Sequence, residues 1–123
     1  MSGEVDIVGR TFDFSVRIVK LCQVLDKLPG VPRILAGQIL RSGSSIGANV
    51  EEAQAGQSKA DFISKLSIAC KEARETRYWL RLLTATDIMS KSILTPLIDE
   101  ANQLTAILIT IINNTRGAGS EHR

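Results

Sequence analysis

Arg33 to Leu83 reads RILAGQILRSGSSIGANVEEAQAGQSKADFISKLSIACKEARETRYWLRLL. Two apolar stripes run through it in steps of three and four, the period of an amphipathic helix. Ala36, Ile39, Gly43, Ile46, Val50 and Ala53 form the first; Phe62, Leu66, Ala69, Ala73, Thr76, Leu80 and Leu83 form the second. Between them stands Gly56-Gln57-Ser58. Gly56 suits the left-handed residue after a helix, and Ser58 suits the next N-cap. Asp61, three residues on, approximates a capping box with Asp in place of Glu. The stretch therefore predicts helices over about Arg33–Ala55 and Lys59–Ala85, joined so tightly that they must be antiparallel neighbours. The first stripe is small: Gly37, Gly43, Gly47 and Ala48 invite close approach of a neighbouring backbone. Its glycines cost about 1 kcal/mol each against alanine, which marks Ser42-Gly43-Ser44 as a candidate kink.

Working outward, Thr11 is a candidate N-cap for an earlier helix with Asp13 in its first turn. Phe14, Ile18, Leu21, Leu25 and Leu28 form its stripe, and Pro29-Gly30-Val31-Pro32 ends it. After a looser stretch from Thr86 to Leu94, Thr95-Pro96 reads as N-cap and first turn of a fourth helix, with an extra turn from Ser92 as the alternative. Its stripe is Leu97, Ala101, Leu104, Leu108 and Ile111. The expected architecture is all-α: an antiparallel up-down-up-down four-helix bundle over 11–115, between an arm at 1–10 and a flexible tail at 116–123.

The 123 residues suffice for one domain and its core, and the net charge of +2 argues for no polyanion partner by itself. Residues 1–10 contain no signal-peptide core, and no apolar run approaches the ~20 residues that span a bilayer, so the expectation is a cytoplasmic protein with no membrane partner. Cys22 and Cys70 lack metal-binding or redox spacing and read as buried thiols rather than a disulfide or nucleophile. The single histidine, His122, lies in the polar tail, leaving no histidine triad and no carboxylate–histidine di-iron set. Gly43-Ser44-Ser45-Ile46-Gly47 lacks the lysine of a phosphate loop and follows no strand. No catalytic residue, metal or cofactor is predicted.

Three surface sets remain. Phe12, Val16 and Val19, with Ile68, Trp79 and Leu82, lie off the core stripes, as do Ile93, Ile98, Ile107, Ile109 and Ile112. Such surplus apolar surface predicts either an oligomer interface or wider buried faces in a monomer. Arg10, Arg17, Lys20 and Lys27 align on the first helix; Lys71, Arg74, Tyr78 and Arg81 align on the third, with Arg77 beside them. Cations flanking an aromatic suit phosphates and a stacked base, against the plainer reading of a solvated face. Gln38, Arg41, Ser45, Asn49 and Glu52 follow one side of the second helix. There Arg41 and Asn49 are placed to hydrogen-bond Glu72 and Glu75 between helices or subunits, or to stand independently in water.

Arg41 to Ala53 (RSGSSIGANVEEA) resembles the second helix of the bacterial four-helix-bundle family of 23S rRNA intervening-sequence proteins. Ser58, Phe62, Leu66, Ser67, Ile68 and Ala69 continue the likeness, as does Lys71-Glu72-Ala73-Arg74-Glu75-Thr76-Arg77-Tyr78-Trp79-Leu80. Similarity runs from about Phe12 to Ile112. The resemblance implies an antiparallel bundle assembling as a ring-like homopentamer, with no established catalytic residues. Related accessory variability determinant proteins of diversity-generating retroelements extend the implication to RNA or DNA contact, and to a protein partner such as a reverse transcriptase. The net charge here is weaker than in those strongly basic relatives. The expectation is a non-enzymatic homo-oligomer that contacts nucleic acid; the alternative is a protein–protein adaptor with no such contact.

Overall fold

A computed structural model describes residues 6–121; residues 1–5 of the expected arm, and His122 and Arg123 of the expected tail, lie outside them. Four helices follow in order: α1 Ile7–Leu25, α2 Val31–Gln54, α3 Lys59–Ala85 and α4 Lys91–Glu121. Among the described residues there is no strand. Each helix packs along its chain neighbour, and a slighter contact between α4 and α1 closes the bundle.

The stripes fill the core. Phe14, Ile18 and Leu25 of α1 meet Ile39, Ile46 and Val50 of α2, with Leu66, Leu80 and Leu83 of α3 and Leu104 and Leu108 of α4; all are essentially inaccessible. Small residues permit the α1–α2 approach. A Cβ at Gly43 would lie 2.7 Å from Ile18 Cγ2, and one at Gly47 would lie 3.2 Å from the Thr11 carbonyl oxygen. α2 runs through Ser42-Gly43-Ser44 as one helix. Burial of Gly43 and Ile46 against α1 outweighs the local cost of the glycines.

The ends of the elements differ from expectation for local reasons. α1 begins at Ile7, because Asp6 caps it through Gly9 N and Ile7 is buried. Thr11 is therefore an interior residue, its hydroxyl donating to the Ile7 carbonyl at 2.8 Å. The helix stops at Leu25, leaving Leu28 in the turn and 42% exposed. Ser58 caps α3, accepting from Asp61 N at 3.1 Å. At the far end Asp87 adopts φ 57°. Asp87 N donates to the Thr84 carbonyl and Ile88 N to the Leu83 carbonyl, the paired bonds of a Schellman closure.

α4 starts at Lys91, ahead of Thr95-Pro96, and carries Pro96 inside it. Leu94 is fully buried, so the extra turn gains a core contact against the bond that proline removes. Farther along, Ile112 is buried and Ile111 half-buried, the reverse of the expected assignment. The helix continues through 116–121, where a flexible tail was expected. No helix among the described residues is long and apolar enough to cross a membrane.

Candidate functional site

The third-helix cations run along the exposed side of α3, and Lys71 and Arg74 adjoin α4. Lys71, Arg74, Tyr78 and Arg81 are all exposed, and none of the three cations forms an ion pair among the described residues. Tyr78 is 54% exposed, its ring edge-on to Trp79 at 5.2 Å between centroids. Lys71 and Arg74 share a groove of about 440 Å³ with Ser67 on their own helix and Ile109, Asn113 and Arg116 on α4. Arg77, half-buried beside them, reaches across to α4. Its Nη1 donates to Asn102 Oδ1 at 3.0 Å, while its buried Nε has no partner.

The first-helix cations are elsewhere. Arg17 and Lys20 are exposed and line a shallow α1–α4 groove with Leu21, Val24, Ile93 and Pro96. The α1 and α3 backbones do not approach each other, lying diagonally across the bundle, so the two cationic sets are not one surface. Arg10, grouped with them by spacing, is committed to α4. Its Nη2 and Nε donate to Glu100 Oε1 and Oε2 at 2.7 and 3.0 Å, and Nη2 also reaches Gln103 Oε1 at 3.0 Å. The hydrogen bond to Glu100 pushes the guanidinium pKa still higher, against an opposing effect of burial.

The opposite flank of α3 carries the polar cluster. Arg41 Nη1 donates to Glu72 Oε1 at 3.4 Å, and Nη2 to Glu75 Oε2. Trp79 Nε1 donates to the same Glu75 oxygen at 3.0 Å. Two helices and an indole are thus fastened through one carboxylate. Beneath them Thr76 Oγ1 lies 3.0 Å from Ser42 Oγ, a buried hydroxyl pair across the α2–α3 seam. Asn49 is not in this cluster, because its amide donates to the Ser45 carbonyl of its own helix at 2.8 Å. Glu52 is exposed without a protein partner among the described residues.

Against models of known families, residues 3–110 match that of the 23S rRNA-intervening sequence protein. The chain belongs to this family. A crystal structure from Bacteroides thetaiotaomicron, described as a protein with unknown function from the S23 ribosomal protein family, is similar to it at 42% identity. The likeness covers 86% of this chain and 97% of that one, with a TM-score of 0.81. No curated protein sequence matches the chain.

In this intervening-sequence family member the apolar surplus divides between two faces. Phe12, at 59% exposure, lines up with Val16 and Val19 on α1, and Ile34 and Leu40 on α2 are also open to solvent. Val19 and Leu40 border a groove of about 250 Å³ along the α1–α2 seam, floored by Cys22 and Ala36. The Cys22 thiol is buried there, and burial raises its pKa to about 11, so it is held protonated rather than reactive. On α3 Ile68 is exposed, whereas Trp79 and Leu82 are half-buried within the bundle. Among the described residues no group of three His, Cys, Asp or Glu side chains is placed to hold a metal ion.

Several pairings escaped the sequence reading, among them Ser42–Thr76, Arg77–Asn102 and Trp79–Glu75. Arg10–Glu100 joins residues 90 apart, beyond the reach of any local pattern. Arg116 sits in a stretch without apolar periodicity, and it joins the α3 cations only because α4 continues past Ile112.

Proposed function

We propose that the protein is a self-associating, non-enzymatic helical scaffold that binds RNA or DNA along the α3–α4 flank. One observation carries this reading: Lys71, Arg74 and Arg81 stand exposed and without carboxylate partners beside an exposed Tyr78, with Arg116 added from α4. Unpaired cations lose little on meeting phosphate, whereas paired ones must first give up a partner. The modest net charge does not oppose this, because Lys71, Arg74, Arg81 and Arg116 gather locally and assembly multiplies them. A ring of five copies is what the resemblance to the family implies. The surface supporting self-association is the exposed row Phe12, Val16 and Val19 beside Leu40.

The test is binding to RNA and DNA over a salt series. Four phosphate contacts per subunit give a log–log slope of about −3 on single strands. Arg74→Glu with Arg81→Glu removes binding and leaves helicity intact. No binding at low salt, or binding indifferent to salt, overturns the proposal. The second reading, a protein adaptor, is favoured by the apolar α1–α2 groove. It predicts capture of a protein partner that survives the Arg74 and Arg81 changes and fails on Leu40→Glu.

A further inference from the structure

We infer that the α3–α4 flank is shaped for a single unpaired polynucleotide strand rather than a duplex. This deepens the nucleic-acid reading above and rests on it. Three features of the flank bear on the choice.

The first is composition. The groove joins three cations, Lys71, Arg74 and Arg116, to an apolar floor that includes Ile109, with Ser67 and Asn113 as hydrogen-bonding groups and no carboxylate in its lining. A duplex turns its phosphates outward and keeps its base faces stacked inside, so it would engage the cations and leave the floor unused. A single strand also offers the flat faces of its bases.

The second is Tyr78. Its ring is over half exposed, one turn along α3 from Arg74 and Arg81 and supported at its edge by Trp79. Trp79 is in turn held by Glu75. An exposed ring braced at its edge leaves a face open for stacking, and stacking tolerates any base.

The third is shape. Helices that read duplex DNA enter a major groove about 12 Å wide with their side chains projecting ahead of the domain. α3 lies between α2 and α4, and Arg116 of α4 joins its cations, so the cationic surface is a seam between two helices rather than one projecting helix. The strip from Lys71 to Arg81 is straight and about 15 Å long at helical rise, a track for one backbone.

Fluorescence anisotropy of the full chain tests this. The probes are a labelled thymidine oligomer of about 12 nucleotides, within the site sizes of single-strand grooves, and a duplex of equal length. The single strand is expected to bind at least tenfold tighter. Tyr78→Ala weakens it about tenfold with duplex binding unmoved, and Arg116→Glu weakens it with helicity unchanged. Equal or tighter duplex binding overturns the single-strand inference alone and leaves the broader reading standing. So does an equal loss on both probes for Tyr78→Ala, or displacement of the strand by base-free inorganic polyphosphate at matched phosphate concentration. Failure to bind either probe at low salt overturns both the inference and the reading beneath it.

Discussion

At the scale of single residues, the small positions of α2 separate those the fold requires from those it tolerates. Gly43 and Gly37 have the same composition signal and different surroundings. An alanine Cβ at Gly43 meets Ile18, itself fully buried, whereas one at Gly37 meets nothing within 4 Å. Gly43→Ala is expected to destabilise by about 1–3 kcal/mol, since overpacking exceeds the gain in helix propensity. Gly37→Ala is expected to stabilise by up to about 1 kcal/mol. Urea denaturation monitored by circular dichroism measures both, and equal effects of either sign would show that the α1–α2 approach does not depend on Gly43. The sequence marked both glycines as sites of close approach, because a one-dimensional pattern registers a missing side chain but not the neighbour that needs the space. Phe14, Ile18, Leu66 and Leu80 were legible for the opposite reason. Their burial follows from phase along one helix, which spacing alone determines.

At the scale of elements, the helices were legible and their boundaries less so. Interiors are set by repetition over many residues; ends are set by one cap or one dihedral angle. Asp6 capping α1 through Gly9, and Asp87 turning left-handed after α3, are single-residue events. The start of α4 was displaced because Pro96 was given more weight than the burial of Leu94. Asp87 yields a direct prediction. The Schellman closure requires φ near +57° at that position, and an L side chain there is strained. Asp87→Gly removes the strain and is expected to raise stability by about 1 kcal/mol, readable as a higher thermal midpoint. A lower midpoint would mean that the carboxylate contributes more than the backbone gains.

At the scale of the whole molecule, lateral relations decide what the surface does, and these were the least legible. The two cationic sets looked alike along the chain, yet α1 and α3 hold them on diagonal corners. Arg10 was grouped with the surface cations and instead ties α1 to Glu100. The polar cluster was easier, since Arg41, Glu72 and Glu75 lie on helices that a four-residue turn makes adjacent. The proposed self-association belongs to this scale as well. Phe12 is exposed and makes no core contact, so Phe12→Glu leaves the subunit fold intact while placing a charge in the apolar row. Light scattering is expected to show the wild-type chain as an oligomer and the variant as a single subunit of about 13.4 kDa. A wild-type chain of monomer mass would remove the assembly proposal.

The slight α1–α4 contact has a mechanical consequence. Three broad seams join the helices in chain order, and the fourth edge is slight, crossed by the hydrogen bonds of Arg10 to Glu100 and Gln103. The molecule is a curled ribbon whose open edge this clasp helps to fasten. Its softest deformation is an uncurling along that edge, and the clasp strength sets how often the hydrophobic interior glimpses water.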